Sequence, residues 1–160
     1  CLRELRVLQA MRDSGHAISL LDIFRSQGLT YLEFPFLAGG TLLSWCEKHG
    51  AGVISGADAD AFIRCLAIWR QFWQSLEFFH AARLVHGDIH LGNVLLTADQ
   101  RPQLTDFRRS QLDARAAPGK LPPPTAEYAA PELEEARDTS AAIMPAADLY
   151  ASGAAMAKAF

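Results

Sequence analysis

The sequence predicts an α+β chain in which helices carry most of the core and short strands gather in two places. Residues 2–12 repeat apolar side chains at helical spacing and lead into two β-prone runs around a Gly-containing turn. Residues 58–82 hold the longest helical pattern, and the stretch from 84 to 104 alternates short apolar runs with polar loop residues. At 160 residues the chain is one domain or part of one, long enough to bury a substantial core.

Each element has its own warrant. Leu2, Leu5, Leu8 and Met11 recur at every third residue with Val7 alongside, which makes an amphipathic helix that Ser14-Gly15-His16 breaks. Ala17 to Phe24 and Thr30 to Leu37 read as a β-hairpin joined by Arg25-Ser-Gln-Gly28, with aromatic and β-branched residues around the turn. Ala38-Gly39-Gly40 ends the hairpin, and Thr41 caps a short helix running to His49. In the long helix, Phe62, Leu66, Trp69, Trp73, Leu76 and Phe79-His80 are expected to form one broad buried face. Leu84 to Leu104 reads as strand, loop and strand, and the Arg-, Ala- and Pro-rich residues 108–125 as an irregular loop. A short helix starts near Pro131, with Pro in its favoured first turn, and Ala146 onward is a small-residue helix suited to burial.

Bulk properties exclude several classes. Half of the residues are hydrophobic and 21% charged, an ordinary composition for a soluble domain. The net charge of −3 offers no basic field for nucleic acid or an anionic membrane, and no apolar run approaches a membrane span. Cys1, Cys46 and Cys65 are far apart and form no CxxC pair, which points to a reducing compartment, expected to be the cytoplasm, rather than a disulfide or zinc framework. The start on Cys1 and the stop at Ala-Lys-Ala-Phe160 suggest that both ends are cut.

Chemistry concentrates in His86-Gly-Asp88-Ile-His90-Leu-Gly-Asn93, with Asp106-Phe107 beginning thirteen residues after Asn93. One carboxylate, one amide and a second carboxylate stand in the order a phosphoryl-transfer site uses. Asp88 is the candidate base, holding a hydroxyl in line with the γ-phosphate; proton acceptance adds roughly a hundred- to ten-thousand-fold. Asn93 and Asp106 are hard oxygen donors suited to magnesium. His90 stands two residues beyond Asp88, where it could bond a phosphate or the base itself. Singly these are ordinary loop residues; the ordered set, with strands between, carries the signal. His86-x-Asp88-x-His90 also reads as part of a zinc-hydrolase cluster, but such sites need further ligands, and His16, His49 and His80 lie at no useful spacing.

These motifs resemble the protein kinase superfamily, and the resemblance extends from Glu4 to Gly153. Thr125-Ala-Glu-Tyr128-Ala-Ala130-Pro131-Glu132 resembles the end of a Ser/Thr-kinase activation segment, and Asp148-Leu-Tyr-Ala-Ser-Gly153 the start of the family's central buried helix. Arg3-Glu4-Leu5-Arg6-Val7-Leu8-Gln9-Ala10 is similar to its regulatory helix, and Phe36-Leu37-Ala-Gly-Gly40 to its hinge. The resemblance implies a kinase-like α+β fold, with 1–160 a partial kinase domain. Residues 1–37 would be the remnant of the small lobe and hinge, and 38–160 an incomplete, mainly helical large lobe. It implies ATP and Mg2+ as cofactors and transfer to a Ser or Thr hydroxyl of a protein.

Roles follow residue by residue from the same resemblance. Thr125 would bond Asp88 and shape the substrate groove, and Glu4 would pair with a phosphate-gripping lysine. The backbone of Pro35 and Leu37 would bind adenine beside Phe34, Leu95 would floor the pocket, and Thr41 would approach the ribose. His86 would pack beneath Phe107, and Asp148 would clamp the catalytic-loop backbone. A glycine-rich loop and the lysine are expected upstream of Cys1, so the isolated 160 residues should bind nucleotide poorly and catalyse little. Two residues depart from the pattern. Gly87 replaces the usual Arg, which removes the cation that reads a phosphorylated activation loop, and Arg108 replaces the usual Gly after Asp106-Phe107. His-Gly-Asp also resembles small-molecule kinases of the aminoglycoside and choline type, which do not usually carry the Thr125–Glu132 segment. Arg108 leaves a pseudokinase scaffold as the third reading.

Overall fold

The computed structural model describes residues 2–112, 121–135 and 143–160. Helix α1 (Leu2–Ala10) turns Val7 and Leu8 into the core, with Met11 buried just past its end. A hairpin follows, β1 (Asp22–Ser26) against β2 (Leu29–Glu33), with Phe24 opposite Tyr31 and their rings stacked 5.2 Å apart. The strands are shorter than the apolar runs that predicted them. Ala17 and Ile18 leave the hairpin instead: the Ile18 N–H donates to Leu104 O, and the Leu104 N–H to His16 O, both at 2.9 Å. The first apolar run is thus shared between two sheets and ties the amino-terminal part to the strand at Leu104.

Helix α2 (Leu42–Ser55) opens with a capping box. Thr41 Oγ1 accepts from the Ser44 N–H at 3.1 Å, and Ser44 Oγ accepts from the Thr41 N–H at 3.2 Å. Contrary to expectation the helix does not end at His49 but runs through Gly50 and Gly52 to Ser55. Packing overrides the poor propensity of those glycines: Leu42, Trp45 and Cys46 are buried and Val53 rests against the core.

Helix α3 (Ala59–Ala81) starts where predicted, with Asp58 Oδ1 accepting from the Ala61 N–H at 2.8 Å. Its buried face differs from the expected one. Ala61, Cys65, Ile68, Trp69, Phe72, Ser75, Leu76 and Phe79 point inward, whereas Phe62, Leu66 and Trp73 are 47%, 51% and 41% exposed. Apolar residues circle most of this helix, so hydrophobicity alone marks two stripes. The stripe with small residues wins because Ala61, Cys65 and Ser75 let neighbouring elements approach.

Short antiparallel pairs complete the architecture: β3 (Leu84–Val85) with β6 (Gln111–Leu112), and β4 (Val94–Leu96) with β5 (Pro102–Leu104). Strand β6 falls within 108–125, where only loop was expected. Two residues cannot display a period of two, and only the partner strand defines them. Residues 113–120 of that stretch lie outside the described residues. Helices α4 (Pro131–Glu135) and α5 (Pro145–Ala159) begin at or beside their expected prolines. The main core joins α1, α2, α3, α5 and the β4–β5 pair around Trp69, Phe72, Phe79 and Phe107. A smaller cluster of Val85, Leu121, Ala130, Ile143 and Ala147 lies apart from it.

Candidate active site

The loop 86–93 is held from beneath by α5. Asp148 is 1% exposed, and its Oδ2 accepts from the His86 N–H at 2.9 Å and from His80 Nε2 at 3.0 Å, while Oδ1 accepts from the Gly87 N–H at 2.8 Å. A carboxylate is tolerated so deep only when donors replace its water, and three do here. His86 is fully buried, its ring 5.0 Å from that of Phe107. Its Nε2–H donates to Thr105 O at 3.0 Å and its Nδ1 accepts from the Asp88 N–H at 3.3 Å, a pattern only the neutral ring satisfies. Burial pushes the His86 pKa below the ordinary imidazole value, in the same sense.

Above this support the chain presents Asp88. Its Oδ1 accepts from the Thr125 N–H at 2.9 Å, and the Asn93 side-chain Nδ2 donates to Asp88 O at 3.0 Å. Thr125 therefore reaches Asp88 through its backbone. Asn93 is 7% exposed, and its O accepts from the Thr105 N–H at 3.0 Å, which fixes the loop to the segment leading to Asp106. His90 turns elsewhere: Nδ1 accepts from the Gly92 N–H at 3.1 Å and its ring lies 5.7 Å from that of Tyr128. The Thr125–Tyr128 turn is also braced by α5, with Lys158 Nζ 2.5 Å from Glu127 Oε2 and 4.8 Å from the Tyr128 ring centroid.

Asp106 adopts left-handed backbone angles, φ 62° and ψ 68°. Its Oδ1 accepts from Arg108 Nε at 2.6 Å and its Oδ2 from Arg108 Nη2 at 2.5 Å, a fork-to-fork pair. Burial works to raise the Asp106 carboxyl, but the adjoining guanidinium overcomes it and holds the group below its ordinary value. Glu4 on α1 is raised, first by burial and then by the negative charge of Asp106, so these two carboxylates share one neighbourhood. The donor chemistry fits magnesium: with Asn93 Nδ2 spent on Asp88 O, the hard oxygen Oδ1 is what remains for a cation. Asp106 offers two more oxygens once Arg108, whose side chain is 64% exposed, swings aside.

The hinge residues meet the β4–β5 pair. The Gly39 N–H donates to Leu96 O at 3.0 Å, the Leu96 N–H donates to Gly40 O at 2.8 Å, and Thr41 pairs with Leu95 in an antiparallel bridge. A Cβ on Gly39 would lie 2.5 Å from Leu96 O, so no larger residue permits this approach. Pro35, Leu37 and Leu95 are half-buried, Leu37 and Leu95 pack on the core with Phe34, and Phe36 is 93% exposed.

The structure thus brings Asp88, Asn93 and Thr125 into direct contact, sets Glu4 near Asp106, and joins Thr41 to Leu95. It does not bring His90 to Asp88. His86 and His90 diverge, one into the core and one toward Tyr128, so they form no shared zinc site. Two residues of the site escaped the sequence reading. His80, at no useful spacing from the other histidines, bonds Asp148, sixty-eight residues away in the chain. Arg109, 5% exposed, donates through Nε to Gly87 O at 2.8 Å. The doubled arginine after Asp106-Phe107 was its one visible signal.

Comparison with known proteins places the chain in a family. The family model described as protein kinase domain matches residues 1–160. The chain is 23% identical over 157 residues to probable serine/threonine-protein kinase zyg-1 of Caenorhabditis elegans, covering 96% of this chain and 20% of that protein. It is 26% identical over 151 residues to the serine/threonine-protein kinase SIK3 homolog of Danio rerio, covering 94% of this chain and 12% of the relative. Serine/threonine-protein kinase PknK of Mycobacterium tuberculosis is 28% identical over 158 residues, covering 97% of this chain and 13% of its own length. The chain therefore spans a fifth or less of these relatives. Because the family model matches from end to end, the chain belongs to the protein kinase domain family.

Proposed function

We propose that the full-length protein carrying this chain transfers the γ-phosphoryl group of ATP to a Ser or Thr hydroxyl of a protein. The observation that carries the reading is the Asp88 carboxylate, fixed by the Thr125 N–H at 2.9 Å above a loop that Asp148 holds from below. Such a carboxylate orients an attacking hydroxyl and takes its proton, and positioning supplies most of the rate. Asn93 and Asp106 would hold Mg2+, which neutralises charge building on the phosphates. Pro35 and Leu37 would meet the adenine, Leu95 its face and Thr41 the ribose, while Glu4 stands ready for a cationic partner. The Thr125–Glu132 turn, braced by Lys158, favours a protein hydroxyl over a small-molecule acceptor. These three relatives, each a serine/threonine-protein kinase by name, support the same choice. A cytoplasmic setting belongs to the same proposal, supported by the free thiols of Cys46 and Cys65. No described helix is long and apolar enough to cross a membrane.

The test is Asp88→Asn in the full-length protein, assayed with labelled ATP and a mixed protein substrate. Transfer should fall by roughly three orders of magnitude or more while Mg-ATP affinity stays within about threefold. Undiminished transfer would overturn the role of Asp88. A pseudokinase reading has one observation in its favour, the Arg108 guanidinium seated on Asp106. It prevails if the wild-type protein binds nucleotide without magnesium dependence and transfers nothing.

A further inference from the structure

The two adjacent arginines after Phe107 meet opposite fates. Arg108 lies mostly in solvent, but Arg109 is 5% exposed, an unusual depth for a guanidinium. Its Nε donates to Gly87 O at 2.8 Å, on the residue immediately before Asp88. Burial pushes the Arg109 pKa down, and the Asp88 charge pulls it the other way, so the base lies within its electrostatic reach. Gly87, at φ 78°, also lets this segment pack closely. A Cβ there would stand 2.7 Å from Ile143 Cδ1, 3.2 Å from Arg109 O and 3.5 Å from Arg109 Cβ. The missing side chain at 87 lets Ile143 and the main chain of Arg109 pack directly against the loop.

We propose that Arg109 is a positioning residue for phosphoryl transfer, a standing cation that fixes the Gly87–Asp88 peptide through its carbonyl while Asp148 holds the N–H that precedes it. Gly87 is then held at both ends of its polar backbone: its N–H donates to Asp148 Oδ1 at 2.8 Å and its O accepts from Arg109 Nε at 2.8 Å. Asp88 follows from a peptide with little freedom to rotate. Kinase activation loops are commonly ordered by pairing a phosphate with arginine. Here Ser110 is the only hydroxyl side chain from Phe107 to Pro124, and it is fully buried, with Oγ donating to Phe107 O at 2.6 Å. The hold by Arg109 is therefore built in and waits for no phosphate in that stretch.

This inference rests on the kinase reading, and its test separates the two. In the full-length protein, Arg109→Ala should lower kcat by about 10- to 100-fold, the scale of a misplaced catalytic group, with KM for ATP within about twofold. Added ethylguanidinium should restore part of kcat, and ethylamine should not, a split that lost stem packing cannot produce. Hydrogen exchange of the amides in 86–93 should quicken in the variant while α3 stays protected. Arg109→Lys, which keeps charge and length, should fall between; it serves also if the alanine variant fails to fold. Peptides spanning 107–124 from the active enzyme should carry no phosphate, and a stoichiometric phosphate on Ser110 would overturn the built-in character. A kcat within about threefold of wild type and unchanged exchange would overturn the role of Arg109, leaving the kinase reading intact provided Asp88→Asn abolishes transfer. If wild type and Asp88→Asn are equally inactive, the kinase reading fails, and exchange across 86–93 decides the role of Arg109.

Discussion

Two carboxylates of the candidate site, Asp148 and Asp106, are secured in opposite ways. Asp148 is 1% exposed and takes its bonds from two backbone N–H groups and the His80 ring. Asp106, whose side chain is 23% exposed, is bonded by the backbone and guanidinium of Arg108, itself 64% exposed. The first arrangement is a foundation, since no element of it can leave without stranding buried donors. The second is an exchangeable contact, since Arg108 can rotate into water and another cation can take its place. Loop 86–93 is thus held by buried bonds, whereas the Asp106 carboxylate is held by a side chain that water reaches.

The comparison breaks most sharply at Asp148. Replacing it with Ala strands three donors, two of them on the loop backbone, and should cost about 3–5 kcal/mol in urea unfolding. A loss below about 1 kcal/mol would mean the loop is held by something else.

His86 gives the next effect through pH. Its folded pKa lies below the unfolded value near 6.5, so the unfolded chain gains a proton there while the folded chain does not. Stability is full above that pH and falls as pH drops below it, by at most about 1.4 kcal/mol per pH unit for this group. His16, also lowered by burial, adds to the slope in the same window. Stability measured from pH 7 to 5 should fall less steeply in His86→Gln than in wild type, whatever the variant's absolute stability; equal slopes would count against a neutral buried ring.

The smallest effect sharpens the other side. Arg108→Ala removes an exposed pair worth less than about 1 kcal/mol, so global stability should barely move. The same energy, released from competition, should tighten Mg2+ binding to the nucleotide-bound protein by about two- to fivefold in calorimetry. Weaker Mg2+ binding in the variant would instead make Arg108 a helper of the metal site.

Much of this site was legible as a pattern. Asp88, Asn93 and Asp106 stand at a spacing that short strands must bridge, and Thr41 announces its cap through its residue type. The interior stripe of α3 was misread because Phe62, Leu66 and Trp73 outweigh Ala61 and Cys65 in hydrophobicity, yet the smaller residues fit the interior. Strand β6 was invisible because pairing, not propensity, makes two residues a strand. His80 and Arg109 were missed for a shared reason: a polar side chain inside a helix or a basic loop shows nothing of the partner it meets from a distant element.

Local chemistry determined on its own what lies within a few residues of itself: the helices with their caps, the turn glycines and the ordered polar set of 86–106. Tertiary structure decided the rest, including which face of α3 is inside, that Asp148 reaches His86 and Gly87, and that Arg109 rather than Arg108 turns inward. Those outcomes depend on burial, where the missing Cβ at Gly87 leaves space for Ile143 and the Arg109 main chain and three donors make a buried carboxylate tolerable. Residue type sets what a side chain can bond, but only the packed interior sets which partner is within 3 Å.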